Sequence, residues 1–270
     1  MQLKERIEVL VRLGEFLQQP NEYLEAIQHR TYHQNNWFTT ENQQLAIQAL
    51  VRAFLQREKL EQWLQQYPEV PEPETPKRIG LIPAGNIPLV GFHDLLCIFV
   101  SGHKAVMRPS EKEKFLTPYL LKALSDLDDR CADYFAVVPQ LKEVDAVIAT
   151  GSDNSARYFE SYFGKYPHII RKNRNAVAVL TGAESPAELL ALGTDVFRYF
   201  GLGCRNVAKL YVPQGYDFEP LLETLHEYRE IVLHNKYKNN FDYNYAMLMI
   251  NKIPFLANGC IILREDPSLT

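Results

Sequence analysis

Cys204 is the residue of this chain best suited to nucleophilic chemistry. It lies in the run YFGLGCRN, positions 199–206, between a helical pattern and a β-branched run typical of a strand. The flanking Gly201 and Gly203 permit strained backbone angles and let a ligand approach closely. A thiolate attacks carbonyl carbons, although only a few per cent of an ordinary thiol is ionised at neutral pH. The pattern predicts a loop that presents Cys204 to a substrate, whereas a cysteine taken alone is more often a small buried side chain.

An amide side chain follows the first strand-like run of the chain. That run, RIGLIP at positions 78–83, is typical of a short buried strand, and Asn86 lies in the turn after it. An amide held there can donate a hydrogen bond to a developing oxyanion, worth roughly 3–4 kcal/mol when prearranged. The alternative is an ordinary strand-to-helix turn that an asparagine stabilises, and Asn86 taken alone favours it.

Two later strand-like runs end in groups that suit a nucleotide. Arg108 and Glu111 follow the second run, where a guanidinium can hold a phosphate and a carboxylate can accept from a ribose hydroxyl. Gly151 and Ser152 precede a helical pattern, whose amides and dipole attract anions. An ordinary strand end or helix start explains each turn equally well when it is taken alone. With Ser110, these residues form the predicted cofactor-binding set.

The elements that must position these groups alternate along the chain. Strand-like and helical patterns follow one another from position 78 onward, which predicts an α/β fold with a mostly parallel, Rossmann-like sheet and helices on both faces. We divide the chain into a helical segment at 1–66, a proline-rich linker at 67–77, a nucleotide-binding domain at 78–172 and a catalytic domain at 173–270. Ligands of such sheets bind beyond the carboxyl ends of the strands.

Local signals also suggest where several helices begin and end. Thr40 is the expected N-cap of a second helical stretch in the 1–66 segment, and Ser110 or Thr117 the expected cap of the helix after the second strand. Ser185 opens a capping box ahead of a helix that we expect to bury Leu190 and Phe200 among its apolar residues and to end at Gly201. 

The bulk composition excludes several classes of function. A net charge of −4 and the absence of a Lys/Arg run argue against broad nucleic-acid binding. The four cysteines form no CxxC pair, so neither a zinc site nor a disulfide framework is indicated. His29 and His33 share a helix face, but a solvated pair is favoured over a metal site because no third ligand is nearby. No apolar run is long enough to span a membrane, and a cytoplasmic location is predicted.

The succession of these motifs resembles the aldehyde dehydrogenase superfamily. It is more closely similar to the LuxC-type acyl-CoA reductases, the fatty-acid reductases of bacterial luminescence. The resemblance covers roughly residues 78–264, and its most similar pieces are GLGCRNV at 201–207 and NKIPFLANG at 251–259. It implies an aldehyde dehydrogenase-like fold and an NAD(P)H-dependent reduction of a fatty acyl-CoA to an aldehyde.

The resemblance also implies roles for the two candidate catalytic residues. Cys204 matches the nucleophile that forms an acyl-enzyme thioester, and Asn86 matches the asparagine that helps hold the thioester oxygen. Hydrolytic members carry a glutamate, the base that activates water, where this chain reads IIRKNRN at 169–175. The missing carboxylate favours reduction over hydrolysis. The basic residues of that run fit either a solvated loop or a contact to a CoA phosphate.

The cofactor residues follow the same resemblance. Arg108 and Glu111 match the lysine and glutamate that contact the adenosine ribose, and Gly151 with Ser152 match the Gly-Ser beside the pyrophosphate. Arg108 in place of lysine favours NADPH, whereas Glu111 argues for NADH because a carboxylate repels a 2′-phosphate. NADPH is therefore the expected cofactor, with NADH as the alternative.

Two other functions and several partners follow from the same residues. The alternatives are an NAD-dependent aldehyde dehydrogenase and a non-catalytic remnant that binds an acyl-transferring partner. The expected partners are an acyl-CoA or acyl-thioester substrate, an acyl-transferring protein and a second copy of the chain. Only 66 residues follow Cys204, and the tail ends without closing an obvious unit, which predicts a C-terminally truncated fragment.

Overall fold

The computed structural model describes residues 1–67 and 72–268, and the chain divides into two compact units, Met1–Asn173 and Arg174–Thr270. The first unit contains the N-terminal helices together with the nucleotide-binding pattern. The expected linker at 67–77 lies within this unit by sequence, and its residues 68–71 lie outside the described residues.

The first unit begins with four helices: α1 (Leu3–Phe16), α2 (Glu22–Gln34), α3 (Thr40–Phe54) and α4 (Arg57–Leu64). Helix α1 buries an apolar stripe that contains Ile7, Leu10 and Leu13. The expected N-cap Thr40 is wrong by one position. Thr39 caps α3, since its backbone is not helical, with φ of −55° and ψ of 155°, and its Oγ1 accepts a hydrogen bond from the Asn42 amide at 3.2 Å.

A five-stranded sheet forms the centre of the first unit. Its strands are β1 (Arg78–Ile82), β2 (Lys104–Met107), β3 (Phe135–Val137), β4 (Ala146–Thr150) and β5 (His168–Arg171), and they lie in the order β3-β2-β1-β4-β5. Every neighbouring pair is parallel. The predicted parallel sheet is confirmed, but two of its strands were not predicted. The strand β3 has three residues, too few to show a period, and β5 has only two apolar residues between His168 and Arg171.

Crossover helices connect the strands: α5 (Phe92–Val100), α6 (Leu116–Leu127) and α7 (Asp153–Phe163). On one face of the sheet, Val106, Val147 and Ala149 pack against Phe159 and Phe163 of α7. On the other face α5 contacts β1 and β2, and α1 packs over α5 and α6. The predicted helices on both faces are confirmed, and the N-terminal helices form a further layer outside one of them.

The second unit contains two small sheets. The strands β6 (Ala176–Val179) and β7 (Val207–Tyr211) pair in parallel, and β8 (Leu256–Ala257) pairs with β9 (Ile262–Leu263) in an antiparallel hairpin. Between and after the parallel strands lie α8 (Pro186–Phe197), α9 (Glu219–Leu225) and α10 (Asn235–Ile250). Their core consists of Leu180, Leu189, Phe197, Leu221, Leu225 and Cys260.

Helix α8 starts as predicted but ends earlier. Ser185 and Glu188 form the predicted capping box at its first turn. The predicted end at Gly201 is wrong, because the helix stops at Phe197 and Tyr199 and Phe200 adopt left-handed backbone angles, with φ of 53° and 59°. Leu190, which we expected inside, is 43% exposed. The apolar residues keep their helical spacing past Phe197, so the sequence pattern did not predict where the helix ends.

Candidate functional site

Three loops of the first unit leave the sheet at the same edge. Leu81 of β1 is aligned with Met107 of β2 and with Ile148 of β4, so the loops after these parallel strands emerge side by side. The chain runs from β1 to β2 on one side and resumes with β4 on the other, which makes β1 and β4 the switch point where such sheets bind ligands. The structure therefore brings together the loop of Asn86, the loop of Arg108 and the turn of Gly151.

The loop after β2 is packed against the loop after β1. The Arg108 amide continues the ladder by donating to the Leu81 carbonyl at 2.9 Å, while its side chain is exposed. Ser110 lies over Gly85, where an added Cβ would come 2.1 Å from the Ser110 hydroxyl oxygen. Gly85 is thus required for this close approach, which places the Asn86 loop directly beside the Arg108 loop.

Glu111 and Glu113 lie in the same loop but in opposite environments. Glu111 is exposed and forms an ion pair with Lys114, which holds the pKa of its carboxyl below the usual range. Glu113 is buried, and desolvation raises its pKa to about 7. Its carboxylate accepts hydrogen bonds from the Thr117 amide at 2.7 Å and from the Thr117 hydroxyl at 2.6 Å.

These contacts correct the predicted cap of the helix after β2. Neither Ser110 nor Thr117 is the N-cap of α6, which begins at Leu116 after Phe115. Thr117 lies inside the first turn, where its own amide needs an acceptor. The Glu113 carboxylate supplies that acceptor from outside the helix, a role that the sequence pattern did not indicate.

The turn after β4 joins the sheet to the start of α7. The Gly151 amide donates to the Arg171 carbonyl at 3.1 Å, and a Cβ on Gly151 would lie 2.8 Å from the Ser155 Cβ. Ser152 is exposed and directly precedes α7, which it caps, since its Oγ accepts from the Ser155 amide at 3.3 Å. The start of this 11-residue helix is therefore open to an anion.

An ion pair that the sequence did not predict joins the last residue of β5 to α5. Arg171 donates through Nη1 to both carboxylate oxygens of Asp94, at 2.9 and 2.7 Å, and Asp94 is 7% exposed in the first turn of α5. Lys172 pairs with Glu160 of α7 at 3.1 Å. These two cations thus have carboxylate partners within the first unit, which does not favour a CoA-phosphate contact for either.

In the second unit, Cys204 lies on an exposed turn before β7. The buried Asn206 holds this turn by three hydrogen bonds. Its Oδ1 accepts from the Gly203 amide at 2.8 Å, while its Nδ2 donates to the carbonyls of Asp195 at 2.7 Å and Arg198 at 3.0 Å. One side chain thus ties the cysteine turn to the last residues of α8 and the turn that follows them.

The left-handed residues before the cysteine turn have an aromatic contact of their own. The Phe200 ring lies 4.4 Å from the His234 ring, which caps α10, and 6.2 Å from the ring of Tyr237. Non-glycine residues with positive φ are strained and occur mainly at functional sites. The strain and the exposure of Cys204 therefore coincide within one short segment.

Several solved structures with a similar fold are aldehyde dehydrogenases. A protein assigned as an aldehyde dehydrogenase from Burkholderia cenocepacia matches with a TM-score of 0.70 and 14% identity, over 95% of this chain and 61% of that one. An NAD-dependent benzaldehyde dehydrogenase from Corynebacterium glutamicum matches with a TM-score of 0.69 and 13% identity, over 95% and 64% of the two chains. The protein has the aldehyde dehydrogenase fold and spans a little over three fifths of the length of these neighbours.

A comparison with protein-family models assigns the chain to one family within this fold. The model of LuxC, an acyl-CoA reductase, matches residues 4–215, and this chain belongs to that family. The match confirms the resemblance seen in the sequence and extends it to the N-terminal helices, which that resemblance did not cover. The comparison with curated proteins finds no match.

The described residues contain neither a membrane-spanning helix nor a metal-binding cluster. No helix within 1–67 or 72–268 has the length and apolarity to cross a membrane. Over the same ranges, His, Cys, Asp and Glu form no group of three or more that could hold a metal ion.

Proposed function

We propose that this chain carries the acylation and reduction chemistry of an acyl-CoA reductase, with Cys204 as the acyl acceptor. The observation that carries the proposal is the exposed Cys204 turn held by Asn206, in a chain of the LuxC family. The product is an aldehyde, and the substrate is a fatty acyl-CoA thioester.

The first step is a thiol exchange. The Cys204 thiolate attacks the thioester carbonyl carbon, a new carbon–sulfur bond forms, and the bond to the CoA sulfur breaks. CoA leaves as a thiolate and takes up a proton. The amide of Asn86 is proposed, from the family resemblance, to donate to the carbonyl oxygen as its negative charge develops, together with a backbone N–H near Cys204. Loss of one such donor costs about 10²–10³-fold in rate.

The groups at the edge of the sheet fit a nicotinamide dinucleotide. The exposed Arg108 guanidinium and the Glu111 carboxylate suit the adenosine ribose, with Ser110 between them, and the start of α7 at Gly151 and Ser152 suits the pyrophosphate. When bound, a reduced nicotinamide would supply the hydride for the acyl carbon, and the bond from that carbon to the Cys204 sulfur would break to release the aldehyde and regenerate the thiolate. NADPH is the proposed form, because the Lys114 ammonium offsets the Glu111 charge.

The amino-acid composition of residues 169–175 favours reduction of the acyl-enzyme over its hydrolysis. The segment carries no carboxylate, and its Arg171 is engaged by Asp94. No glutamate of this segment is therefore present to activate water against the acyl-enzyme, which argues against an aldehyde dehydrogenase that forms the acid. The acyl-transferring partner, self-association and the cytoplasmic location stay predictions.

The test is acylation with radioactive acyl-CoA, followed by NADPH. We expect label in a hydroxylamine-sensitive adduct, its discharge as aldehyde by NADPH, and no adduct in Cys204→Ala. The matched control is Cys97→Ala, because Cys97 is half-buried and burial raises the pKa of its thiol to about 11. Label that persists in Cys204→Ala contradicts the assignment, and an adduct that NADPH does not discharge supports the non-catalytic alternative.

A further inference from the structure

Helix α2 runs along α6 toward the loop proposed to contact the cofactor ribose. Near its start, the Asn21 amide donates to the Tyr119 hydroxyl at 3.1 Å. Further along, the Arg30 guanidinium lies 4.0 Å from the centre of the Phe115 ring, directly before α6. Later residues of α2 therefore contact earlier residues of α6, as in an antiparallel pair. The C-terminal end of α2 thus reaches the segment before α6.

Two amides at that end of α2 hold the backbone of the loop. Gln34 Nε2 donates to the Glu111 carbonyl at 2.8 Å, and Asn35 Nδ2 donates to the Lys112 carbonyl at 3.3 Å. Asn35 is buried, and its Oδ1 accepts from the Trp37 amide at 3.3 Å, which fixes the direction of its donor. Two successive carbonyls of the loop are therefore held by side chains about 77 residues away.

The loop is held on its other sides as well. The Glu113 amide donates to the Ser110 carbonyl at 3.0 Å, and Ser110 itself rests on Gly85. The Glu113 side chain is turned inward to Thr117, opposite to the exposed Glu111. Holding the Glu111 carbonyl restricts rotation of the backbone at this residue, and so limits the directions from which its carboxylate can accept ribose hydroxyls.

We propose that Gln34 and Asn35 are positioning residues for nucleotide binding, acting through the backbone of Glu111 and Lys112. The proposal rests on the proposed function, which places the adenosine ribose at Arg108 and Glu111. It gives the N-terminal helices a part in cofactor affinity, since a loop that is already ordered loses less conformational freedom when the nucleotide binds.

The test compares two exposed side chains that make the same kind of bond. Gln34→Met removes the donor to Glu111 without adding charge. Arg12→Met removes a donor from α1 to the Leu127 carbonyl, also 2.8 Å long, at the far end of α6. NADPH affinity is measured by fluorescence titration, Cys204 acylation by radioactive acyl-CoA, and folding by thermal unfolding.

We expect Gln34→Met to weaken NADPH binding about fivefold, the usual worth of one hydrogen bond, and to leave the acylation rate unchanged because acylation precedes nucleotide chemistry. The double variant with Asn35→Ala weakens binding more than tenfold. Unchanged affinity in the Gln34 variant, or an equal loss in Arg12→Met, overturns the positioning role alone. A wild-type chain that is acylated but binds neither NADPH nor NADH overturns both this role and the proposed cofactor.

Discussion

The loops of the two units are held in different ways. In the first unit each candidate loop follows a strand and is fixed by several neighbours: the Arg108 amide bonds to Leu81, and the Gly151 amide bonds to Arg171. In the second unit the Cys204 turn precedes a strand, and one buried side chain, that of Asn206, makes three of its bonds. Support is distributed in the first case and concentrated in the second, so single substitutions should have unequal effects.

The largest effect is expected for Asn206→Ala. It removes three partly buried hydrogen bonds, each worth roughly 1 kcal/mol, so we expect a loss of about 3 kcal/mol in the free energy of unfolding. Acylation of Cys204 should fall more than 100-fold because the turn is no longer fixed. Denaturant unfolding and radioactive acyl-CoA labelling measure the two effects.

The matched control is Asn244→Ala, whose exposed amide donates to the Asn240 carbonyl on the surface of α10. It should change stability by no more than about 0.5 kcal/mol. Acylation of Asn206→Ala within a fewfold of wild type would show that the support is distributed in both units.

Glu113→Gln tests the buried support of the Arg108 loop through pH. The pKa of Glu113 is raised to about 7 by burial, while the unfolded chain releases this proton near pH 4.5. Between these values the folded state binds the extra proton, so the contribution of Glu113 to stability falls as pH rises from 4.5 to 7 and is constant above. The glutamine variant has no such proton, and its stability relative to wild type should rise by about 2–3 kcal/mol between pH 5 and 8.

Denaturant unfolding at four pH values between 5 and 8 measures this difference. Glu25→Gln, which replaces an exposed carboxylate on α2, is the control and should run parallel to wild type. Parallel curves for wild type and Glu113→Gln would mean that Glu113 is ionised in the folded protein throughout this range.

A smaller effect is expected for Arg171→Met. The substitution leaves the buried Asp94 carboxylate without its cation, and because Arg171 is partly exposed we expect a loss of about 1–2 kcal/mol. Lys172→Met removes the neighbouring exposed pair with Glu160 and should cost under about 0.5 kcal/mol. Thermal unfolding compares the two, and equal losses would remove the distinction between the buried and the exposed pair.

The smallest effect concerns the choice of nucleotide. Lys114→Met leaves the Glu111 charge without its offset, so NADPH affinity should fall about two- to threefold relative to NADH. Lys122→Met, which breaks the pair with Asp126 on the exposed side of α6, should leave the ratio unchanged. A Lys114 variant that weakens both nucleotides equally would assign this lysine a part in binding but not in selection.

Local features of the sequence were sufficient for much of the fold. The capping box at Ser185 depends on two residues three apart, and the strand runs show their apolar character directly. Because the strands were predicted to be parallel, the loops of Arg108 and Gly151 could be placed at the same edge of the sheet. All of these signals lie within a few residues or follow from one topological rule.

The contacts missed at the sequence level join distant positions or depend on direction. Asp94 and Arg171 are 77 residues apart, as are Gln34 and Glu111. Asn206 was visible beside Cys204, but no spacing showed that its side chain turns back to the end of α8. Such bonds arise when tertiary packing brings elements together, which periodicity within one element does not record.

The left-handed pair before the cysteine turn has a consequence for protein engineering. Glycine at position 199 or 200 would relieve about 1 kcal/mol of backbone strain per residue, and its greater freedom in the unfolded chain would offset part of this gain. Glycine at 200 would also remove the ring that rests on His234, and with it a restraint on the segment carrying Cys204. Glycine at position 200 would thus relieve backbone strain but loosen the segment that carries Cys204. A stabilised variant should therefore keep Phe200.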